Sequence, residues 1–396
     1  MIQIKKCERV INMTDQLLLN ELIDIRRELH RFPELSMKEY ETTKRIKKWL
    51  KHYDISIADA FQLDVGAVAE IVGGKPGPTI AIRADIDALP IEEKTNLPFA
   101  SEVNGVMHAC GHDFHTASII GAAILLKERQ QELCGTIRFI FQPAEETASG
   151  AKMLVEKGVL EGVEAIFGMH NKPDLPVGTI GIKPGPLMAS VDRFEIDVKG
   201  VGGHAGIPEK TVDPIAAAGQ IVTSLQTIVS RNLSPFQNVV VSITQIHGGS
   251  SWNVIPDKVT LEGTVRTFQE EAREKIPGLM KRTAEGIGAA FGASVDVKWY
   301  PYLPVVNNDD TLEKLAINAA ENLSYQVVEA EQSPGGEDFA VYQQHVPGFF
   351  VWMGTAGEYE WHHPSFSLNE EALLVAASYF ANLSFHFLNS FHYRKN

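Results

Sequence analysis

The stretch "GVMHACGHDFHTA", residues 105–117, sets Cys110 among His108, His112, His115 and Asp113. Imidazole, thiolate and carboxylate are the ligand set of a borderline transition metal such as Zn, Mn, Co or Ni. They are also the parts of a nucleophile and its base. The spacing of Cys110 and His112, two residues apart, lets both side chains face one point from a turn. Cys110 also precedes an expected helix start, where the helix dipole favours a thiolate.

More side chains of the same chemistry recur downstream: Glu145 and Glu146 in "TIRFIFQPAEE", His170 in "EAIFGMHN", and His362 or His363 in "YEWHHPSF". Taken singly these are weak signals. A histidine ending an apolar strand is more often structural, adjacent glutamates more often lie in a solvated loop, and cysteine is often a small buried hydrophobe. Their convergence is what counts, because each cluster follows an apolar run. Four such clusters exceed the needs of one ion, and two metal ions would use them all. The adjacent carboxylates then divide the work, one binding metal and one taking a proton from water. Two competitors stand beside this reading. A thiol hydrolase built on Cys110, with His112 or His115 as base, leaves the glutamate pair and His170 without roles. A non-catalytic binding protein would not need so many ligand-type residues. A thiol redox function is weaker, since no second cysteine stands at CxxC spacing.

These groups must be carried by elements that the hydrophobic pattern predicts. "DQLLLNELIDIRRELHRFPELSMKEYETTKRIKKWLKHYD" reads as two amphipathic helices broken near Pro33. "AVAEIVG" and "TIAIRADIDALP" read as strands, the second ending in Asp85 and Asp87, and residues 114–130 read as a helix. The strand of "EAIFGMHN" is expected to end at His170. Strands alternating with helices predict a largely parallel α/β sheet, whose ligands gather at the carboxyl edge. From about 189 the texture changes. The strand "SVDRFEIDVKG", a helix at about 212–230, the strands "NVVVSITQIHGG" and "KVTLEGTVRTF", a helix at about 269–290 and the strand "SVDVKWY" follow in turn. That β-α-β-β-α-β order predicts a ferredoxin-like α+β domain, residues 189–303, inserted into an α/β domain of residues 1–188 and 304–396.

Composition narrows the partners. With 44% apolar residues in 396, the chain can bury a large core. A net charge of −14 argues against a nucleic-acid surface. Three cysteines (Cys7, Cys110, Cys134) are too few for a disulfide framework, which predicts a reducing, cytoplasmic setting. The N-terminal stretch "MIQIKKCERVINMTDQ" has no apolar run of signal length. "ASIIGAAILL" is about half of a bilayer span, so no membrane partner is expected.

"LHRFPELSMKE", "RADIDALP", "MHACGHDFHTA", "FQPAEE", "GMHN", "GGHAGIP", "WNVIPD", "SPGGEDFA" and "HHPSF", in this order from about Leu29 to Phe366, resemble the amidohydrolase branch of the M20 metallopeptidases. That branch includes aminoacylase-, hippurate-hydrolase-, auxin-conjugate-hydrolase- and N-acetyl-diaminopimelate-deacetylase-like enzymes. The resemblance implies a zinc-exopeptidase-type catalytic domain with an inserted lid or dimerisation domain. It implies two divalent metal ions, manganese first among them, held by Cys110, His112, Glu146, His170 and His362, the last chosen because the family's ligand stands two residues before the proline. It makes Glu145 the catalytic base, His204 the oxyanion donor, and Asn253 and Arg266 contacts of the substrate carboxylate. Where the wider family has H-x-D, this chain has Asp85-Ile86-Asp87, which leaves Asp87 behind the ligands. The implied reaction is hydrolysis of small N-acyl amino acids, such as N-acetyl ones, with dipeptidase or carboxypeptidase activity as the alternative. The implied assembly is a homodimer or homotetramer.

Overall fold

The computed structural model describes residues 13–394, so Cys7 and most of the N-terminal stretch lie outside the described residues. Two units divide the chain: Met1–Gly185 with Asn307–Glu331 and Asp338–Asn396, and Pro186–Val306 with Gln332–Glu337.

In the first unit, eight strands form one sheet in the order Ser56–Ile57, Ala67–Val72, Cys134–Gln142, Lys75–Asp85, Val163–Lys172, Gly348–Gly354, Thr179–Ile182 and Gln326–Glu329. The four central strands, Cys134–Gln142 through Gly348–Gly354, run parallel. Ala67–Val72 and Thr179–Ile182 pair antiparallel with their inner neighbours, so the expected largely parallel sheet is mixed at its flanks. Central strands are covered on both faces, which is why "IAIRAD" is buried without alternation (Ile80–Asp85). Along Met13–Arg31, Leu22, Ile25 and Leu29 point inward at helical spacing. The helix His112–Glu128 is buried on nearly all sides and packs on the C-terminal helix Ala372–Arg394. That last helix, unlike the shorter "ASIIGAAILL", is long and apolar enough to cross a bilayer. Most of it (72% of the apolar window) is instead buried in the fold. Each fully buried Leu, Ile or Phe contributes roughly 1.5–3 kcal/mol here.

The parallel strands bring their carboxyl ends to one edge. Lys75–Asp85 stops at Asp85, and Cys134–Gln142 stops just before Pro143 and the glutamate pair. Val163–Lys172 runs two residues past His170 rather than ending there, because its partner Gly348–Gly354 continues the ladder to Lys172.

The second unit has four antiparallel strands in the order Val239–Gly248, Lys258–Thr267, Val191–Lys199 and Ser294–Leu303, the strand order of a ferredoxin-like fold. The helices Pro214–Thr227 and Glu270–Ala290 bury Ile221, Leu225, Ile276 and Met280 against Phe194, Ile196 and Val198. The first of these helices starts on an Asp213 cap, whose carboxylate accepts from Ile215 N at 2.9 Å, with Pro214 at its first position. Gln332–Glu337, which the sequence pattern assigns to the α/β domain, groups with this unit instead. Backbone bonds tie it there: Ser333 N to Leu187 O at 2.9 Å and Ala189 N to Ser333 O at 3.0 Å.

Candidate metal centre

His112 opens its helix behind Gly111, whose φ of +82° turns the chain between Cys110 and His112. A Cβ at Gly111 would lie 2.5 Å from Asn171 Nδ2, so only glycine fits this turn. The turn aims Cys110 Sγ and His112 at His170, and the three ligand atoms lie within 4.8 Å of one another, all buried. Cys110 Sγ is 3.3 Å from His170 Nε2. A second group of three joins Cys110, Glu146 and His362, and a third joins His112, Glu145 and Glu146. Glu146 Oε1 is 3.9 Å from His112 Nε2 and 3.6 Å from His362 Nε2. His362 holds a left-handed backbone (φ +66°), with its N–H donating to Ala109 O at 2.8 Å. Its neighbour His363 stacks on Tyr359 at 4.3 Å instead.

Asp87 stands behind these groups. Its Oδ1 meets His112 Nδ1 at 3.1 Å, while its Oδ2 accepts from Ser36 Oγ at 2.7 Å and from Glu146 N at 3.1 Å. With Nδ1 so engaged, His112 turns Nε2 towards the cluster. His112 Nε2 and Glu146 Oε1 are both buried without a hydrogen-bond partner among the described residues. Two such orphaned atoms facing one point, beside a thiol and a second imidazole, fit a cation. Glu145 accepts from Asp338 N at 3.4 Å.

The electrostatics agree with that fit. Burial, and then the charges of Glu146, Glu145 and Asp85, push the Cys110 thiol well above its ordinary value. This reverses the expectation from the helix dipole, because burial of the thiol and the nearby carboxylates outweigh a partial charge at one helix end. Burial opposes protonation of His112, yet Asp85 and Asp87 raise it to about 10. Burial holds His170 well below the usual histidine range. The concentration of carboxylates around a thiol calls for positive charge.

The other groups of the opening stretch have different tasks. Asp113 is buried between Arg26 Nε at 3.0 Å and His30 Nδ1 at 2.9 Å. His115 Nδ1 bonds Asp85 Oδ1 at 2.6 Å, and burial lowers His108 to about 4. In the second unit His204 is exposed on Gly203–His204, with Nδ1 accepting from Gly206 N at 2.9 Å. Asn253 is also exposed, its Oδ1 accepting from Ser251 Oγ at 2.8 Å. Arg266 is half-buried and donates to Thr264 Oγ1 and to Val265 O at 3.1 Å. It makes no ion pair among the described residues, and burial lowers its pKa.

Residues 81–386 match the model of peptidase family M20/M25/M40. The chain belongs to this family. It is 65% identical over 372 residues to an N-acetylcysteine deacetylase of Bacillus subtilis, covering 94% of this chain and 98% of that one. It is 37% identical over 363 residues to an N-acetyldiaminopimelate deacetylase of Leuconostoc mesenteroides, covering 89% and 94%. A dinuclear metal-binding M20 peptidase of Bacillus subtilis has a solved structure that superposes with a TM-score of 0.88 at 61% identity, covering 94% of this chain and 99% of that one. This M20 chain is a metal-dependent amidohydrolase with a mixed α/β fold.

Two residues of the centre escaped the sequence reading. Asn171 and Glu39 lie inside stretches quoted for the resemblance, "GMHN" and "LHRFPELSMKE". Only the fold shows what they touch.

Proposed function

We propose that this M20 enzyme removes the acyl group from small N-acyl amino acids, N-acetylcysteine first among them, giving a carboxylate and a free amino acid. The observation that carries the site assignment is the pair of orphaned atoms, His112 Nε2 and Glu146 Oε1, beside Cys110, His170 and His362. These five residues would hold two divalent ions, with manganese the first choice and zinc, cobalt or nickel the alternatives. The bound ions supply Lewis-acid polarisation of a carbonyl and acidify a water. Glu145 takes the proton of the attacking water and returns it to the leaving amine. Asp338 N–H, donating to Glu145 Oε1, keeps that carboxylate aimed. His204 is the candidate donor to the oxyanion, and Asn253 and Arg266 are candidate contacts of the substrate carboxylate. The relatives named above support the substrate class, and the scarcity of cysteines supports a cytoplasmic setting. A homodimer or homotetramer is the assembly that goes with this reading.

The test is a pair of substitutions with metal analysis. Glu145→Gln should keep its metal and lose roughly 10²–10⁴-fold in kcat on N-acetylcysteine. Glu146→Gln should lose metal. The reverse pattern would exchange the two roles, and near-normal activity in both would remove the site.

A further inference from the structure

The glutamate pair is delivered by a strained turn. Ala144, immediately before Glu145, is a buried non-glycine residue with φ +56°, in the left-handed region that an L side chain disfavours. Something must hold it there. On one side Ser149 N and Gly150 N donate to Ala144 O at 3.2 and 3.1 Å. On the other, Ala144 N donates to Glu39 Oε1 at 2.8 Å, across 105 residues of sequence.

Glu39 does not cap the helix that follows it. It stands at the cap position of the helix Tyr40–His52, yet its side chain makes no capping bond to that helix. Glu34 serves instead, accepting from Thr42 N at 2.7 Å and from Glu41 N at 3.2 Å. Glu39 is fully buried, and its Oε2 has no partner among the described residues. Its own N–H and that of Met37 also favour the carboxylate, and the long-range bond it makes is the one to Ala144.

We propose that Glu39 is a positioning residue that keeps Glu145 in its productive place by accepting the Ala144 N–H, through reach and not through charge. The neighbouring Glu146 N–H is held separately by Asp87 Oδ2. Losing Glu39 therefore shifts the base more than the ligand. Burial pushes the Glu39 carboxyl up to about 7, with nearby Asp87 adding to the rise, so the acceptor oxygen serves in a group close to half-protonated at neutral pH. The proposal rests on Glu145 being the base.

Three variants of the full-length, metal-loaded enzyme test it: Glu39→Gln, Glu39→Asp and Glu145→Gln. Kinetics on N-acetylcysteine are read together with the metal-to-protein ratio and the melting temperature. Gln keeps the reach without the charge, and Asp keeps the charge but is one methylene short. Glu39→Asp should lose roughly 100-fold in kcat, the effect of a misplaced reacting group, with KM and metal content unchanged. Glu39→Gln should stay close to the wild type. Equal loss in both, or a fall in metal content that tracks the loss, would overturn the proposal, as would a fully active Glu39→Asp. An inactive Glu145→Gln beside an active Glu39→Asp leaves the base assignment standing and rejects only the role of Glu39. An active Glu145→Gln rejects both.

Discussion

Asn171 Nδ2 donates to the backbone carbonyl of Cys110 at 2.6 Å. The same residue accepts from Trp361 Nε1, at 3.1 Å to both its backbone and its side-chain oxygen. One amide thus ties the Cys110 turn to the segment just before His362, from the strand that carries His170. Groups behind metal ligands typically contribute a factor of roughly 10–100 in metal affinity. Asn171→Ala should weaken metal binding on that scale in a chelator competition titration, and unchanged affinity would show that the turn holds itself.

Thiol and metal chemistry make opposite demands on Cys110. Its alkylation, mapped by mass spectrometry, should be slow in the metal-loaded protein and faster once a chelator has stripped the ions. Amidase activity should vanish with the metal and return with it. Activity that survives complete chelation but not alkylation of Cys110 would install the thiol hydrolase instead.

His204→Ala should bind metal normally and lose about 2.7–4 kcal/mol of transition-state stabilisation, the scale of a missing oxyanion donor. Steady-state kcat/KM beside metal analysis measures it. Wild-type kinetics would reduce His204 to a turn residue.

Glu39 also predicts a pH dependence of stability. Burial, with Asp87 facing it, raises its folded-state value to about 7, against about 4.3 for an unfolded glutamate. A raised value contributes stability that is complete below the unfolded value and is lost as pH rises through the folded one. The wild type should therefore lose stability relative to Glu39→Gln between about pH 4.3 and 7, and level off above. Denaturant melts of both proteins at pH 5 and 8.5 decide it; a gap that does not change with pH would contradict the buried, half-titrated carboxyl.

Asp113 is the stability counterpart within the opening stretch. Arg26 is buried and divides its charge between Asp113 and Glu370, at 3.0 and 2.9 Å. Asp113→Ala leaves that guanidinium short of one partner, and removing one member of a buried pair costs about 3–5 kcal/mol. Urea unfolding should show a loss of this order. A loss below about 1 kcal/mol would mean that Glu370 alone satisfies Arg26.

The chain order of donor types was legible because chemistry is local: Cys-x-His, Glu-Glu and His-His-Pro each stand within a few residues. The strands before them were legible because central strands of an α/β sheet are continuous apolar runs. The antiparallel flanks were not, since pairing direction depends on which strand arrives beside which, and an apolar run reads the same both ways. The grouping of Gln332–Glu337 with the second unit was hidden for the same reason. It depends on two backbone bonds across more than a hundred residues.

Sequence by itself determined the ligand alphabet, the α/β and ferredoxin-like patterns and the family resemblance, all of which rest on residue identity at short range. The resemblance named His112 and His362, and tertiary structure showed what their neighbours do instead, with His115 spent on Asp85 and His363 stacked on Tyr359. Tertiary structure alone decided that the Cys110 thiol is raised and not lowered, because that depends on its burial and on carboxylates from two separate segments. It alone brought Glu39 to Ala144. Hydrogen bonds and buried charges act over a few ångströms of space, and no spacing along the chain encodes those distances.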